Sequence, residues 1–380
     1  MARNPWDNLP ARMGTVLRRR PHLFVSTQHE GPHSKRKGQN MRLGIVGYGA
    51  GGKYFQAPFI EAAEDIELVG VVARMDATKA SVASDFPGLP TYASLGGLLA
   101  AGVDAVTITT PPHTRYDLVM DAIRSGVHVV ADKPFAPTAD AARELADAAK
   151  KAGVVLNIFH NRRRDADILT LAKVLASGEL GELWRVHSIM DQDNADSLEV
   201  GTSGGLLRDL GSHLVDQMLW LLGPVSHVHA TLDWTDRFGE RTDCGFFVTM
   251  THASGTVSTV SASKLNHSTT RELRAYGSEG SYIASGSDVQ ADALMQGRRP
   301  VAQPETWGID TRENWGILSR RGQRELIPSE QGNYTGFYTE FASAVRGEGP
   351  EPVPASEGIR TLEVLDAARR SALENVVVAL

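Results

Sequence analysis

The stretch MRLGIVGYGAGG, residues 41–52, decides how the rest of this 380-residue chain is interpreted. A short apolar run leads directly into the spacing G-x-G-x-x-G, with Gly47, Gly49 and Gly52 at its three glycine positions. Glycines at this spacing allow a tight turn and let backbone amides approach a pyrophosphate, which the N-terminus of a following helix stabilises. Because residues 53–62 can be helical, the stretch predicts a strand, a dinucleotide-binding turn and a helix.

Apolar runs and amphipathic segments alternate after this turn. The candidate strands, which are mostly apolar and end at polar turns, cover residues 67–73, 104–110, 127–131 and 154–159. The candidate helices between them cover residues 77–85, 115–125 and 139–151. This alternation predicts a doubly wound parallel sheet, whose ligands bind beyond the carboxyl ends of the strands.

Two residues at the end of the second strand bear on the choice of cofactor. An acidic residue there binds the ribose 2′-hydroxyl of NAD, whereas an arginine can receive the 2′-phosphate of NADP. Arg74 therefore favours NADP. Asp76 could be the acidic group displaced by a turn, so NAD stays open as the alternative.

Polar residues follow three of the predicted strands, at Thr110, Lys133 and Asn161. The carboxyl ends of parallel strands share one edge of a sheet, so these residues are expected near the dinucleotide. Lys133 is thus a site candidate by position. Its ordinary alternative is a solvated surface lysine.

The second half of the chain follows a different pattern. Extended segments, without helices between most of them, cover residues 181–190, 225–234, 244–251, 255–263 and 271–276. They predict a largely antiparallel sheet. Residues 285–333 are interpreted as a long irregular excursion, and residues 334–345 and 356–372 as closing helices. The predicted domains are an extension at 1–40, a dinucleotide-binding domain at 41–160 and a second domain at 161–380.

A helix predicted from about residue 205 to 222 carries Asp209 and His213 four positions apart, on one face. A carboxylate and an imidazole placed this way can take and hold a proton. The same residues are equally consistent with an acidic group favoured by the helix dipole and a histidine that packs.

Composition and charge exclude several classes of protein. The net charge of −6 combines +6 in residues 1–40 with −12 in residues 41–380. A negatively charged protein repels the phosphates of nucleic acid, so residues 41–380 are not expected to bind it. Neither a secretory signal nor an apolar run long enough to span a membrane occurs. The single cysteine, Cys244, argues against a disulfide framework or a Cys-rich zinc site, which fits a cytoplasmic protein. Residues 1–40 are expected to be disordered.

Four motifs in order resemble the Gfo/Idh/MocA oxidoreductase family: residues 47–52, 110–112, 132–134 and 204–213. The resemblance covers nearly all of residues 41–380. Further motifs, such as Asn161-Arg162-Arg163 and Gly332-Asn333-Tyr334, are most similar to the branch that contains NADP-dependent scyllo-inositol dehydrogenases.

The resemblance implies an α/β protein with an N-terminal Rossmann domain and a C-terminal α/β domain, whose open sheet face often mediates oligomerisation. A homodimer or homotetramer is therefore expected. The implied catalytic residues are Lys133, Asp209 and His213, with Asn161 and Arg162 also at the substrate, and the Lys133–Pro134 bond is commonly cis in this family. The implied cofactor-binding residues are Gly47, Tyr48, Gly49, Gly51, Gly52, Arg74, Thr109, Thr110, Pro111, Asp132 and Lys133.

The implied reaction moves a hydride between a nicotinamide and a secondary alcohol of a polyol or sugar, without a metal. His213 would be the base, kept neutral by the helix N-terminus, and Asp209 would orient its ring or bind a substrate hydroxyl. Lys133 would stabilise the developing alkoxide. Two alternatives are a catalytically silent NADP-binding regulator and an enzyme that shuttles hydride between sugars on a retained cofactor.

Three arginines depart from the family pattern. Arg115 stands where histidine is usual, and Arg164 and Arg208 stand where this branch favours aromatic residues. Near the cleft, Arg164 and Arg208 would favour a substrate with a carboxylate or phosphate. As exposed charges, they would have no such effect.

Overall fold

The computed structural model describes residues 40–201, 204–237, 239–286 and 288–380. The predicted extension at 1–40 lies, apart from its last residue, outside the described residues. Within the described ranges, no helix is long and apolar enough to cross a membrane.

Six parallel strands of the described chain form the first sheet, in the order β3-β2-β1-β4-β5-β6. The strands are β1 (Met41–Val46), β2 (Ile66–Val72), β3 (Thr91–Tyr92), β4 (Ala105–Ile108), β5 (His128–Ala131) and β6 (Leu156–Ile158). Those at the centre of the sheet are almost wholly buried, which explains their near-continuous apolar sequence. The predicted doubly wound sheet is confirmed.

The helices of this half are α1 (Ala57–Ala62), α2 (Asp76–Asp85), α3 (Leu95–Ala100), α4 (Pro112–Arg124) and α5 (Ala139–Ala152). A π-helical turn, Gly51–Gln56, joins the glycine motif to α1. The sequence did not predict α3, because Gly96 and Gly97 give its six residues a weak helical signal. Ser94 caps that helix by accepting a hydrogen bond from the amide of Gly97.

After a 3₁₀ turn at Asn161–Arg164 and α6 (Ala166–Ser177), the chain builds a second sheet. Its strands are β7 (Leu183–Asp191), β8 (Val225–Thr235), β9 (Thr242–His252), β10 (Val257–Ser263), β11 (Thr270–Gly277), β12 (Ser281–Ser285), β13 (Gly316–Arg320), β14 (Gln323–Ile327) and β15 (Val378–Ala379). Their order among the described residues is β14-β13-β12-β11-β7-β10-β9-β8-β15. The sheet is mixed, since β10 pairs with β7 in parallel and with β9 in antiparallel orientation.

The remaining helices are α7 (Leu206–Leu222), α8 (Val289–Met295), α9 (Thr335–Val345) and α10 (Ala355–Glu374). Helix α7 packs on β9 and β10, and α10 packs on α7 and β8. One face of the sheet is thereby covered. Side chains of the opposite face, such as Phe247 at 49% exposure, remain accessible.

The irregular excursion predicted at 285–333 is wrong in part, because it contains α8 and the hairpin β13–β14. The hairpin closes through Arg321 and Gly322, both with positive φ, as a two-residue hairpin turn requires. Most of β14 is exposed, so its polar side chains hide the alternation that marks a half-buried strand.

Candidate active site

A cleft of about 1240 Å³ lies beyond the carboxyl ends of the first-sheet strands. Residues predicted to bind the cofactor supply much of its wall: Gly47, Tyr48, Gly49, Gly51, Arg74, Thr109, Thr110, Pro111 and Asp132. Gly52 supports this wall from below, since a Cβ there would lie 2.3 Å from the carbonyl oxygen of Gly47. The glycine motif and the ends of β2, β4 and β5 therefore meet around one cleft.

The glycine turn fits a dinucleotide. Gly47 has φ +98°, and Thr109 fixes the turn by donating its hydroxyl to the Gly47 carbonyl at 2.9 Å. A Cβ at Gly49 would meet nothing within 4 Å, so the backbone there is open to an approaching ligand. The Tyr48 hydroxyl is committed to Asp85 at 2.9 Å. The turn thus keeps the tight backbone and open approach that a pyrophosphate needs.

Arg74 and Asp76 differ in their relation to the cleft. Arg74 is exposed and lines the cleft. Asp76 is outside the lining and accepts from Lys79 at 2.9 Å, one turn along α2. At the end of β2, the Arg74 guanidinium is therefore the side-chain group that can contact the ribose of a bound dinucleotide.

Lys133 and Asp209 meet next to this cleft although 76 positions separate them in sequence. Lys133 follows β5, and its Nζ donates to Asp209 Oδ1 at 2.7 Å and to the Asp209 carbonyl at 3.0 Å. Asp209 lies in the first turn of α7. The Lys133–Pro134 bond is cis, as the resemblance implied. This ion pair joins the first half of the chain to the second.

Lys264, which the sequence analysis missed, also binds Asp209. Its Nζ donates to Asp209 Oδ2 at 2.9 Å and to the Ser197 carbonyl at 2.9 Å, and the residue is 3% exposed. A lysine directly after the small and apolar residues of β10 was the available signal.

The ion pairs set the charge of Asp209. Burial alone would raise the pKa of its carboxyl, because a buried carboxylate loses its hydration. Lys133 and Lys264 reverse this effect and hold the pKa well below its usual range. Asp209 is therefore ionised throughout the physiological pH range.

His213 lies one turn further along α7 and is 8% exposed. Burial lowers its pKa well below the usual value, and the positive charges of Lys133 and Arg162 lower it further. Its Nδ1 has no hydrogen-bond partner among the described residues. Burial and neighbouring cations therefore keep the ring neutral. The contribution expected from the helix N-terminus stays a prediction.

The sequence left two roles open for Asp209, orienting the His213 ring or binding a substrate hydroxyl. Among the described residues, each Asp209 carboxylate oxygen accepts from a lysine, and no hydrogen bond joins Asp209 to His213. Helical spacing placed the two residues on one face, as predicted. Helical spacing could not show that lysines from other elements bind the Asp209 carboxylate.

Arg162 and Asn161 lie in the 3₁₀ turn after β6. The Arg162 guanidinium pairs with Asp288 at 2.6 Å and with Asp165 at 3.2 Å, and its carbonyl accepts from Gln217 of α7 at 2.8 Å. Asn161 is 4% exposed. The turn is thus tied to α7 by the bond from Gln217. The Arg162 guanidinium lowers the pKa of His213 electrostatically, and its positive charge is paired with Asp288.

Arg164 and Arg208 do not form the anion site considered from the sequence. Arg208 donates to the Ala136 carbonyl at 2.8 Å and lies 3.9 Å from Asp366, while Arg164 pairs with Glu340. Both guanidinium groups therefore have protein partners, although the buried Nε of Arg208 has none among the described residues. Successive residues of an α-helix are about 100° apart around its axis, so the Arg208 side chain leaves α7 in a different direction from that of Asp209.

Arg115 joins the two loops that carry the predicted site. It is 5% exposed and donates to the carbonyls of Thr110, Lys133 and Pro134, with its remaining nitrogen 3.4 Å from Asp132 Oδ2. These acceptors follow β4 and β5. The guanidinium fork thus holds both loops at fixed separation.

Arg115→Met is expected to weaken dinucleotide binding and lower kcat together, each by roughly tenfold, because several hydrogen bonds to a charged donor are lost. Fluorescence titration with the dinucleotide and initial rates measure the two effects. Arg124→Met is the matched control, because Arg124 lies on the same helix and is exposed beside Asp121. Wild-type values for both parameters in Arg115→Met contradict the clamp.

Helix α7 is anchored at its first turn by Asp243 of β9. Asp243 is 2% exposed and accepts from the amide of Leu207 at 2.7 Å and from Arg369 of α10 at 2.9 Å. Gly205 precedes the helix with φ +92°, and a Cβ there would lie 2.2 Å from Asp243 Oδ1. The carboxylate therefore needs a glycine at 205 to reach the helix end.

A six-stranded parallel sheet with a dinucleotide cleft, followed by a second sheet domain that completes a polar site, defines a Rossmann-fold oxidoreductase. Models of one family match both halves: its NAD-binding Rossmann fold at residues 41–160 and its C-terminal alpha/beta domain at 172–380. The chain belongs to the Gfo/Idh/MocA oxidoreductase family, and its first domain binds NAD(P). The resemblance drawn from the sequence is confirmed.

Individual relatives extend over almost the whole chain. The oxidoreductase YdgJ of Escherichia coli is 35% identical over 90% of this chain and 99% of its own length. IolW of Bacillus subtilis, a scyllo-inositol 2-dehydrogenase (NADP(+)), is 32% identical over 91% and 98%. The structure of the oxidoreductase yvaA from Bacillus subtilis superposes with a TM-score of 0.83 at 31% identity, covering 91% of this chain and 99% of that one.

Proposed function

We propose that this protein is an NADP-dependent dehydrogenase that transfers a hydride between the nicotinamide and a secondary alcohol of a neutral polyol or sugar, inositol-like in form. The observation that carries the proposal is the partly buried Lys133–Asp209 ion pair beside neutral His213, next to the dinucleotide cleft. A bound nicotinamide supplies or accepts the hydride, and the protein supplies proton transfer and electrostatic stabilisation.

The cluster divides the remaining chemistry among its side chains. Neutral His213 accepts the hydroxyl proton of the alcohol, because an uncharged imidazole has a free nitrogen lone pair. The Lys133 ammonium stabilises negative charge on the alcohol oxygen by a charge-assisted hydrogen bond. Asp209 holds that ammonium in place at 2.7 Å. Burial of His213 limits water at the atom that takes the proton.

The pairing of the arginines near the site supports a neutral substrate. Arg164 and Arg208, the two arginines considered as anion ligands, have protein partners. Arg162 is balanced by Asp288. Among relatives, IolW is named for scyllo-inositol and an enzyme of Rhizobium meliloti, 26% identical over 88% of this chain, is named inositol 2-dehydrogenase. A cyclic polyol is the class that agrees with both observations.

An initial-rate screen tests the proposal, with NADP and NAD each offered against inositol isomers, aldoses and sugar acids, and reduced nicotinamide followed by absorbance. Turnover of a neutral polyol with NADP is expected. Failure of every substrate to reduce either cofactor contradicts the dehydrogenase. Cofactor retained through purification, with hydride exchange only between two sugars, favours the shuttling enzyme instead.

Arg74→Ala is expected to lower kcat/KM for NADP by roughly tenfold to a hundredfold, because a hydrogen bond to a charged phosphate contributes about 1.5–3 kcal/mol. The value for NAD should stay nearly constant, since NAD has no 2′-phosphate. Both are measured with one saturating alcohol. Asp76→Ala, two residues away and outside the cleft lining, is the control. An unchanged NADP preference removes Arg74 from the cofactor site.

We also propose a homodimer or homotetramer formed through the open face of the second sheet. Phe247 of β9, Ser261 of β10 and Ile189 of β7 stand side by side in the strand register on that face. An accessible sheet face with aromatic and aliphatic side chains favours self-association. Light scattering after size-exclusion chromatography measures the mass, and a monomer at micromolar concentration argues against this proposal.

A further inference from the structure

Lys264 has no part in the reaction proposed above, although it is one of the most buried cations described. An ammonium removed from water is costly unless oxygen acceptors replace its hydration. Here the Ser197 carbonyl and Asp209 Oδ2 do so, each at 2.9 Å. A side chain held this way at the edge of a reaction centre calls for a functional explanation.

The Asp209 carboxylate is held from two sides by different elements. Lys133 approaches Oδ1 from the loop after β5, and Lys264 approaches Oδ2 from the end of β10. The bond to Ser197 ties Lys264 in turn to the segment that precedes α7. With Oδ2 fixed, the carboxylate cannot rotate away from Lys133.

The second lysine also changes the charge of the cluster. Two ammonium groups face one carboxylate, so one positive charge remains uncompensated. The other groups packed here leave this charge in place. His213 and His160 are neutral through burial, and Arg162 is paired with Asp288. The second carboxyl beside Arg162 is that of Asp165, whose pKa burial raises to about 8, and Asp216 beside His160 is paired with Arg163. A surplus positive charge beside the reacting oxygen stabilises an alkoxide more than the alcohol.

We propose that Lys264 is a positioning residue of the reaction centre, which fixes the Asp209 carboxylate on Lys133 and gives the cluster its surplus positive charge. The catalytic consequence rests on the proposed dehydrogenase function. The effect on the Asp209 carboxyl does not, since it follows from the contacts of the protein alone.

Lys264→Met removes the charge and keeps an unbranched side chain of similar reach. The Asp209 carboxyl should then titrate at higher pH, because burial is opposed by Lys133 alone. Aspartate labelled with carbon-13 reports this titration in the full-length protein without substrate, with Asp209→Asn identifying the signal. In steady-state assays, kcat should fall roughly tenfold to a hundredfold, while KM for the alcohol stays nearly constant. The acid limb of the kcat profile, where activity falls as the pH decreases, should move to higher pH.

Two further variants separate positioning from a structural role. Lys264→Arg retains the charge and is expected to restore most of kcat and the original acid limb. Arg271→Met removes another buried cation of the same sheet, paired with Asp167 at 2.7 Å, and should lower the melting temperature without moving the acid limb. These outcomes together support the proposal.

An Asp209 titration and an acid limb that are the same in Lys264→Met and wild type overturn it, even if the variant is less stable. A shifted Asp209 titration in a protein that oxidises no alcohol supports the positioning of Asp209 and contradicts the dehydrogenase function. The two hypotheses therefore fail separately.

Discussion

Replacement of His213 by alanine is expected to lower kcat for alcohol oxidation by roughly a hundredfold to ten-thousandfold, the range for loss of a general base. The dissociation constant for NADP should change little, because His213 is outside the lining of the dinucleotide cleft. Stopped-flow measurement of the first turnover separates hydride transfer from product release. His252→Ala is a control, since His252 is also buried in this domain but bonds Gly223 and Ser258. Full turnover in His213→Ala contradicts the assignment of the base.

His213 also makes the protein less stable at low pH. Burial lowers the pKa of His213 well below that of an unfolded histidine, and lowers the pKa of His160 to about 4. The unfolded chain therefore binds more protons below the ordinary histidine pKa, so the free energy of unfolding falls as pH decreases through that range. Above it, these groups contribute no pH dependence. Urea denaturation at pH 7 and pH 5 should show a smaller difference for His213→Ala than for wild type.

Asp243→Ala is expected to lower the free energy of unfolding by about 2–4 kcal/mol, combining a lost helix cap with a broken and largely buried ion pair. The first turn of α7 loses the acceptor for Leu207, and Arg369 loses its partner. Because Asp209 lies two residues beyond Leu207, kcat should fall as well. Urea denaturation and initial rates measure the two effects.

Asp243→Asn provides the matched comparison for that anchor. An amide oxygen can still accept from the Leu207 amide, but it does not balance the Arg369 charge. Stability between those of wild type and Asp243→Ala is therefore expected. Equal stability of Asp243→Ala and wild type means that α7 keeps its place without this carboxylate.

The sequence predicted the elements that depend on local patterns. Helix α7 begins and ends within a residue of its expected bounds, because Gly205 and Gly223 flank an apolar periodicity. The glycine turn was equally clear, since its backbone conformation restricts the residues that can form it. What local patterns could not show is which oxygen of Asp209 each lysine would reach.

The missed features depend on contacts between distant segments. Lys264 joins Asp209 across 55 positions, and nothing in either segment encodes that distance. Arg208 looked available for substrate because its neighbour Asp209 is in the site. Its partners nevertheless come from two other segments, Ala136 from the loop before α5 and Asp366 from α10. Partner choice is a property of packing, and it emerges only once the helices are placed.

The reaction centre takes Lys133 from the first half of the chain, whereas Asp209, His213 and Lys264 come from the second. Such an allocation makes the reaction centre a test of how well two halves fit each other in protein engineering. A chimera that keeps the first half and replaces the second with that of another family member would preserve cofactor choice while exchanging alcohol preference, provided the incoming half supplies a carboxylate for Lys133. Recombination at the junction after β6 is thus a route to new specificities that leaves Arg74 and the glycine turn untouched.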